Sequence, residues 1–159
     1  MYASDSSYNV TLVAISDNFC TDTFIQTVQI FPVPLADFTS TTVCFSDSTA
    51  FTDQSLITND VITNWSWIFG DGSPIDNASS PMHYYVDTNI NVYNATLIVT
   101  TSNGCSDNIS LPVTVHPLPL ASFTNDTVCL NQPSSFLDKS SLSNGVISSY
   151  LWDFGDGTG

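Results

Sequence analysis

An internal repeat with a fixed offset constrains this chain more than any other feature. "YNVTL" at residues 8–12 returns as "YNATL" at 93–97, and "PVPLADFT" at 32–39 returns as "PLPLASFT" at 117–124. "TVC" at 42–44 recurs at 127–129, and "WIFGDG" at 67–72 becomes "WDFGDG" at 152–157. Every offset is 85, and aligning 8–72 with 93–157 without a gap gives 28 identities over 65 positions. Chance does not produce that, so the unit is repeated. Eighty-five residues is too long for a solenoid unit and suits a small sandwich domain. Cutting at the Pro-rich "PVPL" and "PLPL" gives three pieces. Residues 1–34 are the C-terminal part of one domain, 35–119 a complete domain, and 120–159 the N-terminal part of a following one.

The composition points to an all-β chain. Good helix formers are scarce: there is no Glu, no Arg and a single Lys, Lys139. Thr, Val, Ile, Phe and Tyr favour strands, and Asp, Asn, Ser and Gly favour turns. Alternation and turn signals place strands at 35–40, 48–54, 62–70, near 82–86, 91–101 and 108–116. In "YNATLIVTT", Tyr93, Ala95, Leu97 and Val99 share one face, and Asn94, Thr96 and Ile98 the other. Short strands with turns between them predict an immunoglobulin-like β-sandwich, repeated in tandem at the 85-residue period.

Charge excludes several functions. The fifteen acids are all Asp, and the formal charge is −14. Nucleic acid and anionic membranes both require basic side chains that this chain lacks. No run of about 18 apolar residues is present to span a bilayer. The first residues lack the basic and apolar regions of a signal peptide, so an export signal is expected outside this stretch.

The repeated hexapeptide reads as folding grammar. Trp67 and Phe69 lie on the same face of the strand at 62–70 and are expected to enter the core. Gly70 and Gly72 are suited to positive φ, and Asp71 between them can accept from nearby backbone N–H groups. Trp152, Phe154, Gly155, Asp156 and Gly157 are expected to do the same in the following unit. A calcium loop would bring two or three carboxylates, and this turn offers one. A phosphate cradle would need a Gly-rich turn before a helix and a Lys.

"WIFGDG" and "YLWDFGDG" resemble the signature of PKD domains, the immunoglobulin-like modules named after polycystic kidney disease. "PLADFT" resembles the family's first strand, "PMHYY" its Pro-x-His-x-Tyr segment, and "YNATLIVTTSNGCSDN" and "YNVTLVAISDNFCTD" its late strand and turn. Ile68 stands where the family has Asp, while Asp153 keeps it. The cysteine pattern is similar to PKD arrays in very large exported surface proteins of gliding bacteria. That resemblance implies a bacterial cell-surface or extracellular location.

Two cysteine pairs are equivalent across the repeat, Cys20 with Cys105 and Cys44 with Cys129. Metal-type Cys-x-x-Cys spacing is absent, and disulfides are the default in an exported protein. Within the complete domain only Cys44 and Cys105 can pair, which requires the chain to fold back after its first strand. An extended run from Ala36 to Cys44 would span roughly 26 Å, beyond disulfide reach. Cys44 would then meet the late cysteine of a following domain, stapling neighbours. A Cys20–Cys44 bond is a third option. In the first two schemes Cys20 and Cys129 have partners outside this chain.

His83 and His116 are the only histidines, and neither lies in a nucleophile pattern. The repeat equivalent of His116 is Phe31, which excludes a shared catalytic role. His83 is expected to make structural hydrogen bonds beneath the sheet, and Asp22 and Asp107 to cap turns. Six Asn-x-Ser/Thr sequons, at Asn9, Asn64, Asn77, Asn94, Asn108 and Asn125, barely exceed the roughly four that this composition yields. The expected function is that of a non-enzymatic spacer and adhesive segment of a long exported surface protein, with a glycan or protein ligand. The alternative is an accessory binding module of a secreted hydrolase, with Trp65 stacking on sugar. The part-domains at 1–34 and 120–159 are also expected to pair head-to-tail between chains.

Overall fold

The structure is a computed structural model that describes residues 2–86 and 92–157. In chain order the strands are β1 (Ser6–Ile15), β2 (Thr21–Ile30), β3 (Phe38–Ser40), β4 (Val43–Cys44), β5 (Thr49–Asp53) and β6 (Ile62–Ile68). They continue as β7 (Met82–His83), β8 (Val92–Thr101), β9 (Ser106–His116), β10 (Phe123–Asn125) and β11 (Phe136–Asp138). No helix occurs among the described residues.

The middle of the chain is a two-sheet sandwich. One sheet has the order β3-β5-β7 and the other β4-β9-β8-β6. β8 shows why the sequence settles here. Tyr93, Ala95, Leu97 and Val99 are each at most 2% exposed, while Asn94 is exposed and Thr96 and Ile98 are half-buried. Facing them from the other sheet are Phe38 and Phe51, with Trp67 between the layers at edge and tilted ring contacts of 5.2 and 5.4 Å. Such pairs add about 0.5–1.5 kcal/mol each to what area burial supplies. Each predicted strand of this domain has a counterpart; β9 begins two residues before its predicted start at 108, and residue 91 lies outside the described residues.

β4 is the element that the alternation did not reveal. After β3 the chain leaves its sheet, with Thr41 bonding Ala50 through both its N–H and its Oγ1. It then runs parallel to the end of β9, pairing Val43 with Val115 and Cys44 with His116. Phe45 follows into the core, its N–H on the His116 carbonyl at 2.8 Å. Two residues are too short to show a period, and their partner lies 72 residues onward (115 − 43). The crossing covers the open edge of β9, which would otherwise invite pairing.

The flanking strands repeat these registers. Tyr93 pairs with Val113 and Leu97 with Ile109 in β8–β9, and Tyr8 pairs with Val28 and Leu12 with Phe24 in β1–β2. Phe38–Asp53 and Ser40–Phe51 in β3–β5 have counterparts in Phe123–Asp138 and Asn125–Phe136 in β10–β11.

Candidate functional site

The end of β6 brings together a hydrogen-bonded set of polar side chains, Asp71, Ser73 and His83. The strand stops because Gly70 and Gly72 adopt φ of +83° and +84°, so the chain turns sharply around Asp71. Asp71 Oδ1 accepts from the Ser73 N–H at 3.0 Å and from Ser73 Oγ at 2.6 Å. His83 Nε2, on β7, donates to Asp71 Oδ2 at 2.8 Å. The imidazole stacks on Phe69 at 3.8 Å and meets the edge of Tyr85 at 4.6 Å. Tyr85 stacks in turn on Tyr93 and donates its hydroxyl to the Phe69 carbonyl at 3.1 Å. The Trp67 indole donates to the Ala78 carbonyl at 2.9 Å, which pins the intervening loop. The motif is a clasp: one carboxylate joins the turn after β6 to the edge strand β7.

This arrangement does not generate a nucleophile. Serine activation requires the imidazole between hydroxyl and carboxylate. Here the carboxylate is in the middle, and the Ser73 hydroxyl already donates to it. Both oxygens of Asp71 are engaged, and among the described residues no three His, Cys, Asp or Glu side chains converge as a metal site. Asp71–His83 pairing was not legible in the sequence, where Asp71 was expected only to cap its own turn. The structural role expected for His83 is what the geometry gives it.

Burial pushes the Asp71 carboxyl up, but hydrogen bonds from Ser73 and His83 outweigh it and hold it below the ordinary carboxylate range. A depressed folded-state pKa stabilises the fold above the unfolded value and loses that contribution as pH falls through the folded one. Asp71→Asn is therefore expected to destabilise the domain at neutral pH by about 1–2 kcal/mol. The gap from wild type should narrow below about pH 4, as the wild-type carboxylate itself protonates. Urea midpoints of both proteins between neutral and acid pH check this, and a constant gap would contradict it.

Trp65 is half-buried against the core, with its Nε1 donating to Asp53 Oδ2 at 2.7 Å. It belongs to the rim of the core. Asp107 does more than cap a turn: its Oδ2 accepts from the Ala36 N–H at 2.9 Å, tying the chain's entry to the start of β9. Its counterpart Asp22 accepts from its neighbour, the Thr23 N–H, at 2.9 Å.

The cysteines correct one expectation. Cys44 pairs beside His116 at the far end of β9, and Cys105 directly precedes its first residue. Eleven residue steps along a strand separate those levels by roughly 35 Å. An intradomain Cys44–Cys105 bond is therefore incompatible with this fold, and all four cysteines are free thiols in it. The chain does turn after β3, but sideways onto β9 rather than back toward Cys105.

The comparisons agree with this architecture. The family model described as PKD domain matches residues 32–116. Among solved structures, the PKD1 domain of Vibrio anguillarum Epp aligns with a TM-score of 0.51 and 20% identity, covering 56% of this chain and 100% of that one. The PKD1 domain from the Vibrio cholerae metalloprotease PrtV aligns with a TM-score of 0.48 and 25% identity, covering 53% and 98%. A structure titled for carbohydrate-binding modules from the β-sandwich superfamily aligns with a TM-score of 0.50 and 17% identity, covering 66% and 52%. No curated protein matches. With a model match over more than half its length, the chain belongs to the PKD domain family.

Proposed function

We infer that the chain is a rod-forming spacer and interaction segment of a long exported surface protein, built from 85-residue repeats. The observation that carries this is the placement of entry and exit. The chain enters beside Asp107 at the start of β9 and leaves after His116 at its end, so it passes through the domain from pole to pole. Recurrence of strand registers and of the Asp138–Ser140 and Asp53–Ser55 turn bonds at the 85-residue offset supports reading the flanks as further copies. Pro32 and Pro34, the latter buried, restrict the linker, and a charge of −14 keeps such rods apart. No catalytic residue and no cofactor is assigned.

The same poles give the cysteines a role. Cys44 lies at the exit end, and the counterpart of Cys105 in a following repeat would lie at that repeat's entry end. Exchange with a donor disulfide would join them: the two thiols become one disulfide as the donor's S–S bond breaks and leaves as two thiols. Ten steps of β9 span about 33 Å, so each repeat with its linker should add roughly 40 Å. Small-angle scattering on three whole repeats should then give a radius of gyration near 35 Å, against about 18 Å for a compact particle of that length. Non-reducing peptide mapping of the same array should link Cys44 to the late cysteine of the next repeat. A compact particle would sink the reading.

The alternative, an accessory module of a secreted hydrolase, draws on the neighbour titled for carbohydrate-binding modules. It is weakened by Trp65, whose indole is held by Asp53 instead of lying open to a sugar ring. Polysaccharide binding lost in Trp65→Ala, with the fold retained, would favour it.

A further inference from the structure

The β8–β9 turn of the middle domain carries a chemically reactive pair, Asn103–Gly104. Asn103 is the one asparagine of residues 35–119 that a glycine follows. A side-chain amide in that position is open to attack by the next backbone nitrogen, because glycine has no Cβ to shield it. Asn103 is exposed, and nothing lies within 4 Å of where a Cβ on Gly104 would stand. In this turn the Thr101 N–H donates to the Cys105 carbonyl at 2.9 Å and the Gly104 N–H to the Thr101 carbonyl at 3.0 Å, with Gly104 at φ +82°. The turn does not demand this glycine. At the 85-residue offset, Ser16 and Phe19 make the same two bonds, with Phe19 at φ +62°. What Gly104 changes is access to its nitrogen.

Asp60, in the loop between β5 and β6, holds the turn in place. Its Oδ1 accepts from Ser102 Oγ and from the Val61 N–H, both at 2.7 Å, and its Oδ2 accepts from Asn103 Nδ2 at 3.0 Å. The Ser102 N–H adds a bond to the Val61 carbonyl at 3.0 Å. We propose that Asn103 is a self-modification site: it deamidates when this contact opens, and the new carboxylate then keeps the contact open. In the opened turn the Gly104 nitrogen attacks the carbonyl carbon of the Asn103 side chain. A C–N bond forms, the bond to Nδ2 breaks, and that nitrogen leaves as ammonia with the Gly104 amide proton. Water then adds to one carbonyl of the resulting succinimide ring and opens it. Addition at the side-chain carbonyl gives aspartate, and addition at the backbone carbonyl gives isoaspartate. One water is consumed and one ammonia released, with no oxidant or reductant. The Gly104 N–H and Asn103 Nδ2 bonds must both break first, so the rate follows local opening of the turn. Afterwards a carboxylate faces Asp60 where a donor stood. Bonds from Ser102, Asn103 and Val61 hold the Asp60 carboxyl down to about 2, so it is charged whenever its new neighbour is, and the two repel. The change runs one way, and it frees the start of β9 from the β5–β6 loop.

The test incubates the full chain in mildly alkaline buffer and follows each asparagine by peptide mapping, with the same chain in urea as the clock. Asn103 should convert to a mixture of aspartate and isoaspartate before any other asparagine of the middle domain, and more slowly than in urea. Asn144–Gly145, the chain's other such pair, lies outside that domain and maps to a separate peptide. Asp60→Ala removes the acceptor and should speed conversion at Asn103 by about tenfold, the worth of losing ordinary hydrogen bonds from the closed state. Should that variant not fold, Asp60→Asn, which keeps the side chain's shape, is measured in its place. Asn103→Asp imitates the product and should lower the thermal midpoint of the middle domain by about 4–8 °C. Adding Asp60→Asn to Asn103→Asp exchanges donor and acceptor and should restore most of that loss. Three results would each overturn the proposal: another asparagine of the domain converting first, a folded Asp60 variant converting no faster, or an Asn103→Asp midpoint equal to that of the wild type. None of them bears on the rod reading, which scattering tests separately.

Discussion

Replacing Trp67 with alanine is expected to lower the stability of the middle domain by about 3–5 kcal/mol, the range for truncating a buried aromatic. The side chain is fully buried and touches the rings of Phe38 and Phe51 from the opposite sheet. Its removal opens a void between the layers at the point where both sheets meet, and no neighbouring ring can swing in without losing its own packing. The bond from its indole to the Ala78 carbonyl also goes, which frees the loop that leads to β7. A domain of this length has a net stability of about 4–12 kcal/mol, so the variant retains little of it. Urea denaturation followed by the fluorescence of the remaining tryptophans checks this. The same substitution at Trp152 is the control. That residue is only half-buried and lies outside the middle domain, so the transition of the middle domain should not move. A loss below about 1 kcal/mol at Trp67 would mean that the ring is not the anchor of the core.

Trp67 was legible in the sequence because a strand's side chains alternate and the next inward residue, Phe69, is also aromatic. The face of β8 was legible for the same reason, and Tyr93 through Val99 are buried as the alternation requires. What escaped depends on contacts between distant segments. β4 has only two residues and takes its partner from β9, so nothing local marks it. The clasp joins Asp71 to His83, twelve positions onward, across a loop that carries no period. Asp107 reaches Ala36 over 71 residues. The cysteine pairing failed for a related reason: distance along one strand was readable, but the sideways crossing of the chain onto β9 was not. Positions set by one strand's own pattern were therefore predictable, and positions set by where another strand arrives were not.

Gly70 and Gly72 look equivalent in the motif, but substitution should separate them. Both sit at positive φ, where an alanine is strained by about 1 kcal/mol or more. At Gly72 nothing lies within 4 Å of where a Cβ would stand, so the backbone strain is the whole cost. At Gly70 that Cβ would lie 2.5 Å from the backbone carbonyl oxygen of Asn94 and 3.1 Å from its carbonyl carbon and nitrogen. Those atoms belong to β8, which is held on both sides by β6 and β9 and cannot retreat without breaking a ladder. Gly70→Ala should therefore cost about 3–4 kcal/mol, the strain plus the displacement of a packed strand, against about 1 kcal/mol for Gly72→Ala. Urea midpoints of the two variants decide the matter. Equal losses would show that the first glycine is needed only for its φ. The expected difference would show that it is also needed for the closeness of the strand beside it, which explains why the turn begins with a glycine even before the chain has to reverse.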